Sequence, residues 1–151
     1  MNRILDRCAL RARGWLSLCA AALLLAACAG GGTPAPLTGT YWNVKQVGEL
    51  SFKPLKGGRD AHLRLDAQHK RATGYSGVNS FTGGFESGPA HLKFGPIAAT
   101  RRAGPAAAMA FEASFFKALE ATRSYRISGD ALELLDDQGA VRARLEALAG
   151  L

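Results

Sequence analysis

Cysteine is missing from most of this chain: all three, Cys8, Cys19 and Cys28, fall in the first 28 of 151 residues. A thiol nucleophile, a cysteine-ligated zinc and an internal disulfide are thereby excluded from everything that follows. Histidine is nearly as scarce, and His62, His69 and His91 stand at no metal-ligand spacing, so surface roles are expected and no metal. Long apolar runs are also lacking. The longest, Trp15 to Ala27, has thirteen mostly apolar residues, short of the roughly 20 that a spanning helix needs. Ser76 lies in Gly74-Tyr75-Ser76-Gly77-Val78, with valine where a nucleophile elbow needs its second glycine, and Gly57-Gly58-Arg59 does not open a strand-to-helix phosphate loop. With no acid, base and nucleophile set in view, the expectation is a protein that is not an enzyme and carries no cofactor.

The start of the chain is where the strongest signal lies. Arg3, Arg7, Arg11 and Arg13 form a basic segment, the apolar run follows, and Leu25-Ala26-Ala27-Cys28 has the branched aliphatic and the small residue that a lipoprotein cleavage site requires before its cysteine. Residues 1–27 are thus expected to be a signal peptide and Cys28 a lipidated N-terminus, with residues 28–36, rich in Gly, Pro, Ala and Thr, as a flexible tether and 37–151 as one domain. Ala29 in place of Asp favours the periplasmic face of the outer membrane, reached through the anchor at Cys28. Removing 27 of 151 residues leaves 124, enough for a single core. Four arginines and one aspartate go with the signal, so the net charge of +7 falls to +4. Much of the apparent basicity is therefore export signal, and no nucleic-acid partner is expected.

Beyond the tether, period-two runs dominate. Tyr41 to Val47, Ala61 to Asp66 and His91 to Phe94 alternate as half-buried strands. Tyr125 and Ile127, then Leu132 and Leu134, flank Ser128-Gly129-Asp130 as a hairpin; after a turn at Asp136-Asp137-Gln138-Gly139, Val141, Ala143 and Leu145 mark the last strand. That aspartate pair reads as a hairpin tip and not as a cation site. Between these sets, Pro105 to Ala121 carries Ala108, Phe111, Phe115 and Leu119 at helical spacing, with Met109 and Phe116 widening the stripe and Pro105 at the first helical position. Gly74 to Phe85 is too rich in glycine for an ordinary strand pair and predicts bulges and a tight corner. The fold class is mainly β, a curved antiparallel sheet with one amphipathic helix packed on or into it.

Several of these segments together resemble the META domain of heat-inducible HslJ-type lipoproteins: Leu37-Thr38-Gly39-Thr40 with Trp42; Gly74, Gly77, Asn79, Phe81 and Gly83; Phe94-Gly95-Pro96-Ile97 running to Thr100-Arg101; Pro105 and the helix; and Leu132-Glu133-Leu134. The resemblance covers about Leu37 to Leu145 and implies a lipocalin-like open barrel and a stress-associated envelope role. Many members of that family have cysteines just before the central asparagine and just before the proline that opens the helix. Here those positions are Val78 and Gly104, and the joint loss implies that the two sites are close in space.

Asn79, Phe81, Thr100 and Arg101 are the candidate turn or ligand-contact residues. A polar side chain among glycines fixes a turn more often than it meets a ligand, and Arg101-Arg102 could meet a lipid phosphate or an acidic partner through charge-assisted bonds. The leading expectation is a monomeric, non-enzymatic outer-membrane lipoprotein that binds an envelope protein or a hydrophobic ligand. The alternative is a periplasmic inhibitor of a lysozyme-like hydrolase, with Gly74 to Gly84 as the inhibitory loop.

Overall fold

Trp42, Val44 and Val47 on one strand, with Leu63 and Leu65 on the next, put apolar side chains on a single face, and that face organises the molecule. A computed structural model describes residues 33–54 and 58–148. The expected signal peptide, Cys28 and most of the tether lie outside the described residues.

Strands β1 (Tyr41–Val47), β2 (Leu50–Ser51), β3 (His62–Asp66), β4 (Arg71–Tyr75), β5 (Ser80–Ser87) and β6 (Leu92–Ala99) precede helix α1 (Ala106–Ala121), and β7 (Ser124–Ser128), β8 (Ala131–Leu135) and β9 (Val141–Ala147) follow it. All pairings are antiparallel, in the order β6-β5-β4-β3-β1-β9-β8-β7, with β2 as a short hairpin partner of β1. The sheet curls until its two end strands touch at one place: His91 bridges Ser124, and Leu92 N–H donates to Arg123 O (3.2 Å). Beyond this seam β6 and β7 are not paired among the described residues, and α1 packs against β6, β1, β9 and β8. This is the open barrel with one helix that the sequence led us to expect.

The helix is held by packing. It has no side-chain N-cap, no acid in its first turn and no base in its last, so burial of Phe111, Phe115, Ala118 and Leu119 must supply its stability. Phe111 meets Phe52 at 4.9 Å between ring centroids, and Phe81 meets Phe115 and Phe116 edge-on at 5.7 and 5.6 Å. Trp42, Phe81, Phe94 and Phe115 are all buried, so the barrel interior is filled. Trp42 Nε1 donates to Leu37 O (2.9 Å), fastening the entering chain to the core.

Four expectations shift in detail. Pro105 is the N-cap, with ψ of 145°, and the helix begins one residue later. Met109 is 36% exposed and does not widen the buried face. The third strand begins at His62, with Ala61 buried just before it. The strand placed at His91 to Phe94 runs on to Ala99 through Gly95-Pro96, where the pairing register shifts between Gly83 and Phe85 on β5. Proline fits there because β6 ends the sheet and one of its edges has no ladder to join.

Candidate functional site

Ser76-Gly77-Val78-Asn79 links β4 to β5, and this turn is where the sheet, the loop after β6 and the helix converge. Gly77 has φ of +101°, a left-handed conformation suited to glycine, and an added Cβ would lie 2.7 Å from the Phe52 ring. Gly74, three residues earlier on β4, is required for a different reason: a Cβ there would lie 2.1 Å from His62 O.

Asn79 is 2% exposed and uses all of its side-chain bonding capacity. Its Oδ1 accepts from Thr100 Oγ1 (2.8 Å) and Arg102 N–H (2.7 Å), and its Nδ2 donates to Arg102 O (3.2 Å) and Glu112 Oε1 (2.9 Å). Glu112, on α1 and 7% exposed, also accepts from Asn79 N–H (3.0 Å) and contacts Ser76 Oγ through Oε2. Ser76 Oγ lies 2.9 Å from Asn79 O as well, so its single proton serves two acceptors. The cluster is a buried latch that ties the turn to the helix and to the chain entering it. Contrary to the expectation from the sequence, the Asn79 side chain does not bond its own turn but ties the turn to Thr100, Arg102 and Glu112; within the turn it is the Asn79 N–H that donates to Ser76 Oγ (3.1 Å).

The other candidate residues are distributed around this latch. Thr100 belongs to it. Phe81 is in the core against Phe115 and Phe116, and Arg101 is exposed beside it. Glu112, the partner that sequence reasoning missed, lies within the helical stripe, four residues after Ala108 and three before Phe115. A carboxylate inside an apolar stripe is the signal that could have found it.

A second feature is an open cleft of about 1150 Å³ between the β5–β6 hairpin and the C-terminal half of α1. Ile97 and Phe116, both half-buried, give it apolar surface, since Phe85 and Phe94 turn almost all of theirs into the core. Lys70, Lys93 and Arg123 supply positive charge, partly balanced by Glu86 and Glu120.

The histidines do not converge. His62 stacks on Tyr41 at 4.3 Å, and burial lowers its basicity below the ordinary value, with Arg59 and Arg64 adding to the effect and a bond to Asp60 O opposing it. His69 pairs with Asp66 (2.7 Å), and His91 lies at the barrel seam. Among the described residues no three His, Cys, Asp or Glu side chains are grouped as a metal site. Asp136 accepts from Gln138 N–H (3.0 Å), Ala140 N–H (2.8 Å) and Arg142 Nε (2.7 Å), which makes it the keystone of a hairpin tip.

The family model for the META domain matches residues 35–148. No curated protein matches the chain. Two solved structures share its fold. One, an NMR structure of a protein from Burkholderia xenovorans, is 22% identical, covers 76% of this chain and 85% of its own, and superposes with a TM-score of 0.58. The other, also by NMR, is 14% identical over 73% of this chain and 90% of its own, with a TM-score of 0.57.

Proposed function

The chain belongs to the META domain family, and on that premise we propose that it is a non-enzymatic lipoprotein, anchored through Cys28 at the periplasmic face of the outer membrane. Its role is to support the envelope under stress by binding. The observation that carries binding over catalysis is the saturation of the latch: the buried polar groups of Ser76, Asn79 and Glu112 bond to one another and to the backbone, which leaves little for a substrate. The cleft beside α1, mixed in lining and open to solvent, is the surface on offer. At about 1150 Å³ it is somewhat larger than the roughly 300–1,000 Å³ of most small-molecule sites.

The inhibitor reading loses its loop. Gly74 to Gly84 is mostly paired strand, and the connecting turn is bonded down at Ser76 and Asn79 and covered at Gly77 by Phe52. A reactive loop needs side chains free to enter a partner's cleft.

Two measurements test the proposal. Labelled palmitate should enter the wild-type chain and not Cys28→Ala; an unlabelled wild type refutes the anchor. Envelope components recovered by cross-linking to the wild-type chain should be lost when Lys70 and Lys93 are both changed to Glu. Undiminished recovery refutes the cleft as the contact surface.

A further inference from the structure

We infer that a notch beside the β4–β5 turn, between Arg59 and Arg102, is a binding site for a phosphate group. It is separate from the cleft and does not depend on the chain being lipid-anchored. The notch has a volume of about 70 Å³ and is lined by Arg59, Tyr75, Val78, Ser80, Thr100 and Arg102. A water needs roughly 10–15 Å³ of such space, so the notch holds a few waters or one tetrahedral oxyanion, and nothing the size of a metabolite.

Its charge is of one sign. Both ionised side chains in the lining are arginines, and neither forms an ion pair among the described residues, although Arg126, Arg142 and Arg144 each find a carboxylate. An oxyanion in a small polar recess lined by two arginines without carboxylate partners can take charge-assisted bonds from both. Planar guanidinium forks also suit phosphate geometry better than a lysine would.

One guanidinium and the loop backbone are already in place. Arg59 Cζ lies 4.5 Å from the centroid of the Tyr75 ring, so a cation–π contact sets that guanidinium in place. Arg102 is fixed through its backbone, with its N–H and its carbonyl both bonded to the Asn79 amide at 2.7 and 3.2 Å. Thr100 N–H donates to Ser80 O (3.0 Å), which holds the loop against the strand. Counting protons identifies the donors: the Tyr75 hydroxyl is committed to Gly77 O (2.9 Å) and that of Thr100 to Asn79 Oδ1 (2.8 Å). The Ser80 hydroxyl and the two guanidinium forks remain. The latch thus has a consequence besides stability, since it fixes the Arg102 backbone beside the notch.

The same chemistry could come from free phosphate or from the phosphate ester of a lipid headgroup, and the experiment separates them. Full-length chain in neutral detergent is titrated with inorganic phosphate and, in parallel, with a short-chain phosphatidic acid, using the matching phosphatidylcholine as a blank and amide chemical shifts as the readout. Saturable shifts centred on Ser80, Thr100 and Arg102 are expected with phosphate, and at least tenfold weaker binding in Arg59→Gln and in Arg102→Gln. Arg59→Lys should recover only part of the loss, and Arg64→Gln, outside the notch, should bind as wild type. At least tenfold tighter binding of phosphatidic acid assigns a lipid headgroup, and equal binding assigns the free anion. The inference is overturned if neither probe gives saturable shifts, or if the arginine variants, folded by circular dichroism, bind as wild type.

Discussion

Replacing Val78 and Gly104 together by cysteine should give a disulfide in the folded protein. A Cβ built on Gly104 would lie 3.6 Å from Val78 Cβ, within the roughly 3.5–4.5 Å that bridged cysteines occupy. In the present chain that space is taken by valine, whose Cγ1 and Cγ2 would be 2.9 and 3.0 Å from the added carbon. Gly104→Ala alone should therefore be overpacked and cost about 1–3 kcal/mol. In the double variant one sulfur replaces both methyl groups and the clash goes. A bridge that closes about 26 residues restricts the unfolded chain by about 3.5 kcal/mol on the loop-entropy model, before any strain is deducted. Unfolding entropy near 2.1 cal/mol/K per residue over roughly 115 residues converts this into a rise of at most about 15 °C, and about 10 °C with moderate strain. Thiol titration after mild oxidation, followed by thermal melts with and without reductant, provides the test. Two free thiols after oxidation, or melts that coincide in both conditions, would refute the juxtaposition of the β4–β5 turn with the loop before α1.

Two further perturbations examine the buried charges. Asn79→Asp sets a second carboxylate against Glu112 and should destabilise by about 2–4 kcal/mol; adding Glu112→Gln restores a donor toward position 79 and should recover at least 1 kcal/mol, as a double-mutant cycle in urea would show. Additive losses would mean that the two side chains do not meet. Asp136 reports on pH: burial alone would raise its carboxyl, but N–H bonds from Ala140, Arg142 and Gln138 outweigh that and hold it below its ordinary 3.8. A depressed carboxyl stabilises fully above the unfolded value and loses that contribution as pH falls through the folded one. Denaturation midpoints of Asp136→Asn should therefore be lower than wild type at pH 7, with a gap that starts to narrow below about pH 4 and closes only once pH has passed the depressed folded value; a gap that does not narrow in acid would contradict this linkage.

The strands that could be read from the chain are those whose side chains differ in kind from one residue to the next. Leu63 and Leu65 alternate with His62 and Arg64, and Ala143 and Leu145 with Arg142 and Arg144, so β3 and β9 are visible at once. In β4 and β5 the pattern is muted: Gly74, Gly83 and Gly84 have no side chain to alternate, and Thr73 faces Thr82 across the pair. Their glycines record closeness, the approach of His62 O and of the Phe81 ring to Gly74 and of Ile97 to Gly83. Closeness between segments cannot be deduced from one segment alone. Asn79 was legible as a turn residue, yet its partners Thr100, Arg102 and Glu112 are 21 to 33 positions away. The pairing of positions 78 and 104 was inferred only because the family resemblance supplied two cysteines lost together. The cleft left no trace in the sequence, because it is formed by what α1 and the β5–β6 hairpin fail to fill.

Three contacts of different kinds meet at one turn: the amide and carboxylate of the latch, the Val78 methyls against Gly104, and the Phe52 ring over Gly77. A domain without disulfides has to hold its helix by such means, and the polar part of the hold is at the helix start. Glu112 lies in the second turn of α1, while Phe116 and Glu120 border the cleft about one and two turns later, about 6 and 12 Å along the axis, with Arg123 just past the helix end. The helix is pinned by bonds where the chain enters it, by aromatic packing at Phe115 and by buried Ala118, Leu119 and Thr122 toward its end, and the outer side of that last part borders the cleft. Loosening the latch should then tilt α1 about its aromatic contacts and change the shape of the cleft without touching any residue that lines it. Glu112→Gln should consequently alter amide shifts at Phe116 and Arg123 as well as at Asn79. Shifts confined to the turn would show that the two sites are mechanically independent.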